Sequence, residues 1–112
     1  MLHLGEMKQS IIKECGFTLH DVSKEGDSFC AEISQYTPLG EDWWETFWFD
    51  GSDEDFCNAV ERRSINFDVS DEAEPYILNR GKYGIPENVK DLVEDAEWKK
   101  DALLSLARCL QN

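Results

Sequence analysis

The groups in this chain that could do chemistry are its 24 carboxylates, two histidines and four cysteines. Cys15, Cys30, Cys57 and Cys109 are widely scattered and lack the close pairwise spacing of a zinc site or a dithiol redox motif. They are expected to be reduced and mostly buried small hydrophobes, the even count leaving disulfides open. Neither His3 nor His20 has a nucleophile at a supporting spacing, and His20, alternating with Leu19 in a strand-like run, is expected at the surface. Paired carboxylates can hydrolyse a glycoside, but every small acidic protein contains such pairs, so they select no reaction. A calcium loop beginning at Asp50 would place Ser52, Glu54 and Glu61 at ligand positions, yet Asp55 stands where the sharp turn requires glycine. The expectation is a protein with no catalytic residues, no metal and no cofactor.

The carboxylates are concentrated. Residues 41–74 hold Glu41, Asp42, Glu45, Asp50, Asp53, Glu54, Asp55, Glu61, Asp68, Asp71, Glu72 and Glu74 against Arg62 and Arg63, a net −10 of the chain's −13. Charge of this sign argues against direct binding of nucleic acid or of an anionic membrane. It admits two readings: a solvated face whose acids complement helix N-termini, or a patterned surface that steers a basic partner. At 112 residues, 41% of them hydrophobic, the chain suits a single domain over 1–112 with a core that needs no disulfide. The opening MLHLGEMKQS has no charged leader followed by an apolar run, and no apolar stretch is long enough to span a bilayer, so a cytoplasmic protein is expected.

The elements that must position these groups follow from periodicity. Leu4, Met7, Ile11, Ile12 and Cys15 form one helical stripe, which Gly16 ends. FTLHDVS and SFCAEISQY read as strands joined by a hairpin with Glu25, Gly26 and Asp27 at its tip. In the second, Phe29, Ala31 and Ile33 share one face, Glu32 and Ser34 the other. After the turn TPLGED, WWETFWFD reads as the third strand of an antiparallel meander, with Trp43, Glu45, Phe47 and Phe49 on one face and Trp44, Thr46 and Trp48 on the other. A few helices can cover one face only, so either the strand is a central one packed on the C-terminal helix, or Trp44 and Trp48 are an exposed hot spot, or both. DGSDEDF then opens a helix, with Ser52 as cap, Asp55 three residues on as in a capping box, and Phe56, Val60 and Phe67 as its apolar side. Pro75 suits the first turn of a shorter helix ending near Gly81. NRGKYGIP, with Arg80 and Lys82, reads as a helix-to-helix connection. Pro86 opens a long last helix in which Val89, Leu92, Val93, Ala96, Leu103, Leu106, Ala107 and Leu110 recur at helical spacing. The fold class is therefore α+β: an N-terminal helix, a three-stranded antiparallel meander, and C-terminal helices packed on one sheet face.

The order FWFDGSDEDF, FDVSDEAEP, RGKYGIP and VEDAEW resembles that of short uncharacterised acidic proteins of gut Firmicutes and their phages or mobile elements, over about the last two thirds of the chain. Its motifs are structural punctuation, and the resemblance implies no catalytic residues. In charge and size the chain is also similar to anti-restriction and anti-CRISPR proteins, which are diverse in fold. The reading that follows is non-enzymatic binding of a protein with a basic surface. In its specific form the chain is a mobile-element inhibitor occupying the nucleic-acid site of a host enzyme, with Glu45, Asp50, Asp53, Glu54, Asp55, Glu61, Asp71, Glu72 and Glu74 imitating phosphates. Of these, Asp53, Glu54 and Glu61 are each expected to be exposed. The alternative is an accessory subunit or homodimer that uses the aromatic face of Trp44 and Trp48, its acids serving solubility. A small enzyme ranks third.

Overall fold

The computed structural model of the chain describes residues 5–78 and 89–111. In order, these form α1 (Glu6–Glu14), β1 (Thr18–Glu25), β2 (Ser28–Tyr36), β3 (Asp42–Phe49), α2 (Asp53–Asn66), α3 (Val69–Leu78) and α4 (Val89–Gln111). The architecture is the α+β one expected, a meander in strand order β1-β2-β3 with the helices on one side of it. Among the described residues, no helix is long and apolar enough to cross a membrane. Leu4, Gly81, Pro86 and the segment NRGKYGIP lie outside the described residues.

α1 stops where glycine was expected to stop it. Gly16 adopts φ 90°, its N–H donates to the Lys13 carbonyl at 3.0 Å, and the Phe17 N–H donates to the Ile12 carbonyl at 3.1 Å. This is the paired bonding of a Schellman cap, and Ile12 and Phe17, the two residues it brings together, are both buried. The apolar stripe is narrower than the sequence implied, because Met7 is exposed and only Ile12 is fully buried.

The hairpin turns on Gly26 at φ 64°, while Asp27 keeps a negative φ, the pattern of a type II′ loop whose twist matches the flanking strands. A bulge between Leu19 and Asp21 makes His20 the extra residue of β1. Register across the sheet then fixes the faces: Val22, Ala31 and Phe47 lie in one row, as do Leu19, Ile33 and Glu45, all on the inner face. β2 is the central strand and β3 an edge, so the aromatic strand is not the central one. Its inner rings meet α2 more than α4. Phe47 and Phe49 pack edge-on against Phe56 at 5.8 and 5.4 Å between centroids, and Trp43 alone of the three reaches Trp98 of α4, at 6.1 Å. Burying a ring such as Phe56 stabilises the fold by about 2–3 kcal/mol.

Ser52 caps α2 by accepting from the Asp55 N–H at 3.0 Å. The reciprocal half of the expected capping box is replaced: the Asp55 carboxylate accepts from the Asp50 N–H, two residues further out, instead of from Ser52. α3 differs more. It begins at Val69, because Asp68 bonds the N–H groups of Ser70 and Asp71 at 2.9 and 3.2 Å, which leaves Pro75 inside the helix instead of in its first turn. A good cap outweighs the loss of the single bond that a proline N–H would have made. α4 buries Leu92, Ala96, Leu103, Leu106, Ala107 and Leu110 as expected, whereas Val89, at its start, is exposed.

Among the described residues, one cation is buried in this packing. Lys99 of α4 is 2% exposed, and its Nζ donates to Glu41 and Glu72 at 3.0 Å each. The two acids come from the turn before β3 and from α3, so one ammonium ties three parts of the chain. Removing it strands two carboxylates. Lys99→Met is expected to lower stability to urea by about 3 kcal/mol or more, and neutralising Glu41 and Glu72 in the same chain to recover most of that loss.

Candidate interaction surface

The nine acids singled out above do not form one surface. Glu45 points to the inner face of β3, is 10% exposed, and is held by Arg63 of α2 in a two-pronged pair, Nε to Oε1 at 2.6 Å and Nη2 to Oε2 at 3.0 Å. The Trp43 indole N–H also donates to it at 2.9 Å. The hydrogen bond to Glu45 raises Arg63 above its ordinary value, outweighing the effect of burial. Arg63 further lies over the Phe67 ring at 4.7 Å, so the pair belongs to the packing between sheet and helix. Glu72 is taken up by Lys99. Neither acid is displayed as a phosphate mimic would have to be.

Asp53 and Asp55 are half-buried and serve helix ends. Both carboxylate oxygens of Asp53 accept from the Gly5 N–H, at 3.1 and 3.2 Å, so an acid of α2 caps the start of α1. Asp53 is therefore not the freely exposed residue the sequence suggested. The remaining five, Asp50, Glu54, Glu61, Asp71 and Glu74, are exposed. Glu54 and Glu61 lie on one stripe of α2 about 10 Å apart along its axis, and Glu61 accepts from Gln111 at 2.9 Å. Asp71 and Glu74 neighbour each other on α3.

Trp44 and Trp48 stand on the other face of the sheet, 46% and 52% exposed. Sequence reasoning missed their surroundings. The bulge turns His20 onto this face, where its ring stacks on Trp44 at 4.0 Å and 13°, and its Nε2 is hydrogen-bonded to the Ser34 hydroxyl. Tyr36, 70% exposed, extends the aromatic surface at the end of β2. The register that places Asp21, Glu32 and Thr46 in one outward row could have been read from the alternation of the three strands, but the bulge could not.

The histidine–serine pair orients an imidazole against an indole. Among the described residues, no carboxylate is bonded to its other nitrogen, and Ser34 is buried. Nor are the thiols of Cys15, Cys30 and Cys57 poised as nucleophiles. All four cysteines are free; Cys30 and Cys57 are buried and Cys15 partly so, as expected, whereas Cys109 is exposed. Burial, then the hydrogen bond and charge of the adjacent Cys109, then Glu14, push Cys15 up to about 11. Burial, then Glu32, Glu25 and Asp21, also raise Cys30, and burial raises Cys57 against the pull of Lys8. A reactive thiol needs the opposite environment. Among the described residues, no three histidine, cysteine or acidic side chains are grouped to hold a metal.

Comparison with protein-family models, curated proteins and solved structures finds no match. The functional reading therefore rests on the surface itself. Its division into acids that hold the fold and acids on display is measurable by chemical denaturation: Glu45→Gln and Glu72→Gln should each cost about 1–3 kcal/mol, whereas Glu54→Gln and Glu74→Gln should stay within about 0.5 kcal/mol of the parent.

Proposed function

We propose that this protein is a non-enzymatic binding protein for a partner with a basic surface. In its specific form it acts in the cytoplasm as a mobile-element inhibitor that fills the nucleic-acid site of a host enzyme. The observation that carries this reading is the use made of four of its eleven cations. Lys8 and Lys100 donate to backbone carbonyls of Leu110, Ser64 and Phe67, while Arg63 and Lys99 are consumed by Glu45, Glu41 and Glu72. The negative charge left over faces outward, on Asp50, Glu54, Glu61, Asp71 and Glu74. Fixed carboxylates on helices present charge to a basic groove much as phosphates do, and they steer its approach.

The second reading, an accessory subunit or homodimer joined through the sheet, is favoured by the exposed rings of Trp44, Trp48 and Tyr36. The two differ in their response to salt, since displayed charges are screened and apolar contacts are not. The immobilised protein should capture basic partners from a cell extract at low salt and release them when salt is raised or excess duplex DNA is added. Glu54→Gln, Glu61→Gln and Glu74→Gln together should lower the association rate about tenfold at low salt and little at high salt. Capture that resists both salt and DNA would contradict the mimic and favour the aromatic interface.

A further inference from the structure

We propose that the outer face of the sheet is the docking surface for an extended, arginine-bearing segment of a protein. This rests on the reading of a basic partner above and assigns the place and chemistry of the contact. Strand register and alternation put Asp21, Glu25, Glu32 and Asp42 on the same face as Trp44, Trp48, Tyr36 and His20. The one lysine or arginine in the three strands is Lys24, and its pairing with Phe29 assigns it to the inner side. A face to which the three strands contribute exposed aromatic rings and carboxylates but no lysine or arginine is complementary to a cation that also carries a flat apolar surface.

The shape narrows the partner. In the central strand, Cys30 lies across from Trp48 and Ser34 across from Trp44, and both are small and buried. His20, stacked on Trp44 and bonded to Ser34, covers that end of the central strand, so what the face leaves open is the row of the two indoles with Glu32 beside it. Glu32, across from Thr46, lies midway between those indoles. Four residues of strand separate Trp44 from Trp48 by about 13 Å, the distance between side chains i and i+4 of a second extended chain laid along the row. A guanidinium can lie flat on an indole while its N–H groups donate to a neighbouring carboxylate, which the point charge of lysine does less well. Glu32 is that carboxylate for either ring. A second copy of this chain is a poor occupant, because it would bring the same carboxylates into mutual contact with no cation between them.

The test uses a synthetic peptide of alternating arginine and serine, titrated by calorimetry into the full chain at low and at moderate salt. Three variants accompany it. Trp44→Thr with Trp48→Thr removes the rings without changing charge, Glu32→Gln removes the bridging acid and leaves both rings, and Glu54→Gln with Glu61→Gln neutralises acids away from the sheet. The ring and Glu32 variants should each bind about tenfold more weakly at both salt levels, and the α2 variant only at low salt. The corresponding lysine peptide should bind the parent more weakly than the arginine one. If the ring and Glu32 variants, with native circular dichroism, bind as the parent does while the α2 variant does not, the sheet face is not the dock and the basic-partner reading survives. If the parent binds neither peptide at low salt, both fall. Self-association abolished by the ring substitutions, in place of peptide binding, would assign the face to a second copy and overturn the proposal.

Discussion

The rest of the structure depends on one buried ammonium. Lys99 lies beneath the Trp43 ring, 6.0 Å from its centroid, and holds Glu41 and Glu72 together. One turn earlier on α4, Asp95 accepts from the Leu39 N–H at 3.3 Å. The turn between β2 and β3 is thus pinned to α4 at two points, and the Thr37 hydroxyl closes it onto Glu41. That turn sets where β3 begins. A slip of one residue would exchange Trp43 for Trp44 and invert every side chain of the strand, so the pin decides which aromatics are core and which are surface. In a chain of charge −13, a cation placed between two acids also removes repulsion inside the packing.

The sequence was readable where one local rule decided the outcome. Gly16 ended α1, Ser52 began α2, and alternation in WWETFWFD separated the buried Trp43, Phe47 and Phe49 from the exposed Trp44 and Trp48. It was misleading where a distant or competing group entered. Asp53 is a surface acid by local pattern, but Gly5, 48 residues away, takes its carboxylate. Pro75 is a helix start by propensity, but the Asp68 cap lies seven residues before it and wins. Glu45 sits among inward aromatics, and the approach of Arg63, 18 residues later, makes that position tolerable. Charge counted along the chain cannot distinguish an acid that is paired from one that is displayed.

The resulting molecule has two kinds of carboxylate. Glu41, Glu45 and Glu72 join elements by ion pairs, and Asp53, Asp55, Asp68 and Asp95 satisfy backbone N–H groups. A second set faces water on α2, α3 and the outer sheet. The cost of the first set is ordinary fold stability, whereas the second is available for recognition without disturbing the core. Aromatic rings and carboxylates share the outer sheet face because period-two alternation carries both outward once the inner face is filled.

The central claim is that Trp44 and Trp48 stand at the surface within a negative field while Trp43 is sealed and Trp98 is half-buried. Quenching of tryptophan fluorescence by caesium and by iodide at low ionic strength tests it most directly. A cation should be drawn to the outer face and an anion repelled, so caesium should reach about half of the emission, that of two tryptophans in four, more effectively than iodide does. The difference should shrink as inert salt is added. Iodide quenching as strong as that of caesium, or four tryptophans equally protected from both, would contradict the account.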